Sequence, residues 1–209
     1  MPFGFAYGLL AADMIEAFLL HFFTISAHSY TRGTWTTPES ASINRDVPTV
    51  AYASAGVNNV PLYLKWALVF EEPESRTLWL GKAVPREWLA AGEAPIVVHS
   101  VPSRYGRVSM RLSASMSGGG ASRGVYVVRA NVSVASSFVT SGGAPAGGLR
   151  LRLRCPLAYA GRLSRVTVGG SAWKAFSASM ETIDVSRDAL ITGGSQLATS
   201  LKDIVATFA

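Results

Sequence analysis

Beyond Ile96 the chain keeps returning to one pattern: short runs of alternating apolar and polar residues, each closed by a glycine- or serine-rich turn. Residues 125–134 read VYVVRANVSV and residues 106–114 read GRVSMRLSA. A period of two places successive side chains on opposite faces of a strand. The runs 96–99, 106–114, 125–134, 149–154, 166–168 and 182–185 predict strands, and 117–120 and 141–148 predict turns or loops. Within 77–89 a further short strand, a turn at Pro85 and a single helical turn carrying Trp88 are expected. Many short strands with turn signals between them predict an antiparallel β-sandwich. The stretch Val166-Thr167-Val168-Gly169-Gly170 predicts a hairpin with Trp173 returning onto the sheet, and 195–209 predicts a short closing helix.

The N-terminal part follows a different rule. Residues 2–12 are small and apolar, with Gly4 and Gly8 at helical spacing, which permits a neighbour to come close. Asp13 and Glu16 imitate a capping box. A helix over 14–29 follows, apolar around most of its circumference, as befits a helix inside a larger helical assembly. His21 and His28 on it read as core or interface histidines. Residues 1–25 hold no Lys or Arg, so the basic start of a signal peptide is missing. The apolar run 17–27 is shorter than the roughly 20 residues of a membrane span, and no membrane span is expected. Pro61 suits the first turn of another helix, which is expected to run to Glu72, where Pro73 stops it. The chain therefore reads as α+β, with a helical segment over 1–75 and a β-sandwich domain over 76–209.

With 49% hydrophobic and 15% charged residues, the 209-residue chain is not disordered overall. Its single cysteine, Cys155, permits no intrachain disulfide and reads as an inert core residue. Three histidines without a Cys/His cluster predict no metal. No Walker loop and no dinucleotide fingerprint occur, so no cofactor is expected. The net charge of +6 permits contact with an anionic partner. Leu149, Leu151 and Leu153 alternate with Arg150, Arg152 and Arg154. This pattern reads first as a strand with one solvated face, and second as a basic surface for nucleic acid or an acidic polymer. No aromatic residues interleave the arginines to stack bases, so nucleic acid is not the expected partner.

Between the predicted helices, 30–59 reads as a long loop rich in turn-forming residues. Its opening, Tyr30-Thr31-Arg32-Gly33-Thr34-Trp35-Thr36-Thr37-Pro38-Glu39, puts a guanidinium, two large aromatics and a carboxylate on irregular backbone. Loops held by a rigid scaffold often carry binding and catalytic groups. The structural alternative is that Arg32 and Glu39 form a local ion pair and Trp35 plugs a core.

Several segments carry a family likeness. The helix over 62–70 (LYLKWALVF) leads into Leu78-Trp79-Leu80 and then Pro85-Arg86-Glu87-Trp88. Arg104-Tyr105-Gly106-Arg107-Val108-Ser109 and the 165–173 run RVTVGGSAW follow. Together they resemble the C-terminal end of glycoside hydrolases built on an (α/α)6 toroid, where the last toroid helix passes through a short strand and a proline turn into a β-sandwich. The resemblance implies metal-independent hydrolysis of an oligo- or polysaccharide, commonly with inversion. It implies Glu39 as general base for the attacking water, with Tyr30, Trp35 and Tyr52 stacking on sugar faces. Arg32 would hold Glu39 ionised or grip a sugar group. A second carboxylate is needed; Asp46 is the nearest candidate, and Glu16 is another before the last helix. A complete toroid has twelve helices, and this sequence supplies two or three. The resemblance thus implies a fragment or degenerate relative, partnered by an upstream helical domain or by self-association through helix 14–29. The alternative function is a non-catalytic carbohydrate-binding or structural sandwich module.

Overall fold

The computed structural model describes residues 3–28, 37, 54–117, 124–135, 138, 144–185 and 200–209. It has an α+β fold, with helices at the N-terminus and mostly antiparallel sheets after them. Two compact units divide between Ala67 and Leu68.

In the first unit, α1 (Phe3–Ala11) and α2 (Ile15–His28) are joined by a tight reversal. The Met14 N–H donates to the Leu9 carbonyl at 2.8 Å and the Asp13 N–H to the Leu10 carbonyl at 3.1 Å. Asp13 itself adopts φ +57°. This is a Schellman closure with a left-handed residue just past the helix end, so Asp13 finishes α1 as well as preceding α2. Two short segments follow, α3 (Ser54–Val57) and α4 (Asn59–Leu68), with Pro61 in the first turn of α4 as expected. The core here is aromatic: Tyr63 is fully buried, and its ring lies 6.1 Å from Phe18, 6.2 Å from Phe22 and 5.8 Å from Trp66. Among the described residues the expectation that Gly4 and Gly8 admit a close neighbour is not met, since a Cβ at either would touch nothing within 4 Å. No helix among the described residues is long and apolar enough to cross a membrane.

The second unit is built from two sheets. One carries β1 (Val69–Glu72), β2 (Thr77–Leu80), β6 (Leu149–Arg152), β10 (Thr182–Val185) and β9 (Phe176–Ser177), in the order β1-β2-β6-β10-β9. The other carries β3 (Ile96–Ser103), β4 (Gly106–Ser117), β5 (Val125–Val134), β11 (Ser200–Phe208), β7 (Leu163–Val168) and β8 (Ser171–Trp173), in the order β3-β4-β5-β11-β7-β8. All neighbours are antiparallel except β2 and β6. Leu80, Leu151 and Ile183 from the first sheet share one core with Leu112, Val128 and Phe208 from the second. Each such side chain contributes about 1.5–3 kcal/mol on burial. A one-residue slip would turn the whole row outward, so burial fixes the register. The expected β7–β8 hairpin forms, with Val166 opposite Trp173.

Three expectations are corrected. The helix drawn to Glu72 ends at Leu68, and residues 69–72 become β1, where Phe70 pairs across the strand with Trp79. From residue 200 on, the expected closing helix is instead β11, in the interior of its sheet between β5 and β7, while 195–199 lie outside the described residues. Its register shifts between Leu201 and Ile204. In the sequence Leu201, Ile204, Val205 and Phe208 stand at spacings of three, four and seven, which imitate a helix, and the bulge lets the strand absorb this break in alternation. Finally, the arginine face of 149–154 is solvated only at Arg150. Leu149, Leu151 and Leu153 are buried as expected, but so are Arg152 and Arg154. Arg152 Nε donates to the Met180 carbonyl at 3.2 Å. Arg150 is half-buried, 5.4 Å from the Trp79 ring and 3.7 Å from Asp184.

Candidate functional site

The residues expected to form a catalytic and sugar-binding loop, Glu39, Tyr30, Arg32, Trp35 and Tyr52, lie outside the described residues, as does Asp46. Glu16 is described and sits exposed on α2. The arrangement that the structure does describe is elsewhere, on the outer face of the six-stranded sheet.

There an open groove of about 480 Å³ crosses β3, β4, β5 and β11. Its polar walls come from His99, Ser109, Arg111, Asn131, Ser133 and Asp203, with Val97 as an apolar patch. Strand register assembles it: Val97 lies opposite Arg111, Arg111 opposite Asn131, and Ser109 opposite Ser133. Because side chains alternate, the intervening Val98, Met110 and Val132 point into the core and anchor the floor.

Two bulges border the groove. In β3 the register shifts between Val98 and Val101, where Ser100 has φ +53°. In β11 it shifts between Leu201 and Ile204, where Asp203 has φ +59°. Both residues carry a Cβ in the left-handed region, which costs of order 1–3 kcal/mol. Each freed backbone donor is taken up by a side chain of the neighbouring strand. The Ser100 N–H donates to Ser109 Oγ at 2.9 Å, and the Asp203 N–H to Asn131 Oδ1 at 3.0 Å. Arg107 Nη1 donates to the Ser100 carbonyl at 2.7 Å. Bulges bend and twist a strand and re-aim its side chains, and strain held in place by neighbouring groups is common at binding sites. Arg111 and Asp203 make no ion pair within 4 Å among the described residues, so both present charge to solvent.

Two buried polar clusters in the same unit are of another kind. Lys82, 1% exposed, donates from Nζ to Glu72 Oε1 at 3.2 Å and lies 4.5 Å from the Trp79 ring and 5.0 Å from Phe70. Trp79 Nε1 donates to Glu72 Oε2 at 3.2 Å, and the Ser75 hydroxyl donates to the same oxygen. Burial pushes the Glu72 carboxyl up, but the bonds from Ser75 and Trp79 and the Lys82 ammonium outweigh it and hold it below its ordinary range. In the second cluster, Arg86 Nη1 sits 3.1 and 2.9 Å from the two carboxylate oxygens of Glu181 and donates to the Cys155 carbonyl at 2.7 Å. The Cys155 thiol donates to Glu181 at 2.9 Å. Burial, then the Glu181 carboxylate, pushes that thiol far up. It stays protonated and is a structural donor, not a nucleophile. Among the described residues no three His, Cys, Asp or Glu side chains gather as metal ligands would.

Set against known protein families, curated proteins and solved structures, the chain matches none of them. The groove residues were not singled out in the sequence. Ser109, Arg111, Asn131 and Ser133 stand at the polar positions of ordinary alternating strands. Ser100 and Asp203 lack the glycine that usually betrays a bulge.

Proposed function

We propose that this chain belongs to a glycosidase-like, carbohydrate-active protein and that its sandwich acts as a glycan-binding module. The observation that carries this reading is the groove over β3, β4, β5 and β11. It is open, elongated across four strands, and pairs one apolar strip at Val97 with short hydroxyl and amide groups from Ser109, Asn131 and Ser133. Sugars offer small apolar C–H faces beside rows of hydroxyls. Orienting polar groups on a rigid sheet suit them better than a deep apolar pocket would. Hydrolysis is the catalytic half of the proposal and rests on the resemblance alone, with Glu39 as general base. The test is a binding and turnover screen of the 209-residue chain against soluble polysaccharides. Binding weakened about tenfold in an Asn131→Ala/Ser133→Ala double variant supports the module. Release of reducing sugar that disappears in Glu39→Gln, with binding kept, supports the catalytic half. Absence of binding to any glycan contradicts the whole reading.

A further inference from the structure

We infer that the outer face of the six-stranded sheet takes an acidic polysaccharide, gripped along a diagonal track of arginines; this deepens, and rests on, the glycan-binding reading above. The track consists of Arg107 and Arg111 on β4, Arg129 on β5 and Arg165 on β7, all exposed. Register sets the diagonal. Arg111 faces Asn131, two residues along β5 from Arg129. Arg129 faces Val205, which faces Thr167, two residues along β7 from Arg165. With strands about 4.8 Å apart and about 3.4 Å of rise per residue, successive guanidinium-bearing positions fall roughly 8–14 Å apart. The whole track spans about 30 Å. That spacing suits a repeating polyanion more than a single small ion.

The charge is available. Among the described residues, the ion pairs of this unit use Lys82, Arg86, Arg104 and Arg150, and none uses the four track arginines. The carboxylate of Asp203 stands alone against them at the groove, among the described residues of β3, β4, β5, β11, β7 and β8. Between the arginines lie Ser113, Thr167 and Thr207, short groups that match sugar hydroxyls. A guanidinium fork binds a carboxylate or sulfate through paired donors. The outward positions described on this face carry no Trp, Tyr or Phe, whereas single-stranded nucleic acid is held by base stacking on aromatics. The observations therefore favour an acidic glycan.

The test uses the full chain with four probes: polygalacturonate, chondroitin sulfate, neutral dextran and single-stranded DNA. Polygalacturonate or chondroitin sulfate is expected to bind, with affinity falling steeply as salt rises. Arg111→Gln and Arg129→Gln are each expected to weaken binding about five- to tenfold. Each should also make the salt dependence shallower by about one in slope. Arg129→Lys keeps the slope, and Arg76→Gln, on the hairpin of the opposite sheet, changes nothing. Circular dichroism confirms that each variant folds. Salt-insensitive binding of dextran as tight as that of the acidic glycans overturns the anionic assignment while leaving glycan binding intact. Binding of no glycan at all overturns both. DNA bound more tightly than either acidic glycan, through the same arginines, assigns the face to nucleic acid instead.

Discussion

Lys82 and Glu72 show what individual residues contribute. An ammonium taken almost fully out of water is costly unless a partner and donors compensate. Here a carboxylate at 3.2 Å and two aromatic faces do so. Breaking such a pair from one side typically costs about 3–5 kcal/mol, and Lys82→Ala is expected to lose an amount of that order in urea unfolding. A loss under about 1 kcal/mol would show that the pair is not held as described. The sign of the pH dependence follows from the depressed Glu72 carboxyl. Its contribution is fully present above the ordinary value of 4.5 and is lost as pH falls below that, through the lower folded value. The acid limb of the stability curve should be steeper in the native protein than in Lys82→Ala. Their pairing could not be read in the sequence, because they lie ten positions apart and only the β1–β2 hairpin brings them together. Cys155, by contrast, was legible as a core position. Its place in an alternating apolar run sufficed, and the structure buries it completely.

Among the elements, legibility tracked the continuity of the pattern. In β4 and β5 the alternation carries through most of the strand, so strand type and buried face could be read, although β4 runs three residues past its expected end, to Ser117. In β11 the apolar residues fall into helical spacing, a break in alternation that the bulge absorbs, and the strand was read as a helix. At β1 a helix and a strand abut without a breaker between Leu68 and Val69, and only pairing with β2 decides the boundary. The turn after β2 offers a quantitative check. Gly81 has φ +67°, and a Cβ there would stand 2.7 Å from the Arg152 carbonyl oxygen. Gly169 has φ +56°, but a Cβ there would meet open space. Gly169→Ala carries only the left-handed penalty of about 1–2 kcal/mol, whereas Gly81→Ala adds a clash with backbone. Thermal melting should rank Gly81→Ala clearly below Gly169→Ala. Equal losses would mean that the turn is free to move away from β6.

For the whole molecule, the class of fold was readable because it depends on local periodicity, with helices first and alternating strands after. The groove was not, because it depends on which strands become neighbours. Nothing in the order of the chain announces that β11, the last strand, lies beside β5, or that its bulge faces the one in β3. The loop that drew attention in the sequence did so by composition, and the resemblance that gave Glu39 a role concerns that loop rather than the sheet. The central claim is now spatial: glycan meets this protein on the outer face of the six-stranded sheet. The most direct test is to titrate isotopically labelled protein with oligogalacturonate and follow the backbone amide resonances. The account predicts that shifts concentrate on Val97, Arg111, Asn131 and Asp203 and extend along the track to Arg129 and Arg165. Shifts confined to the β1–β2 sheet or to the segment around Glu39, with these six amides unmoved, would contradict it.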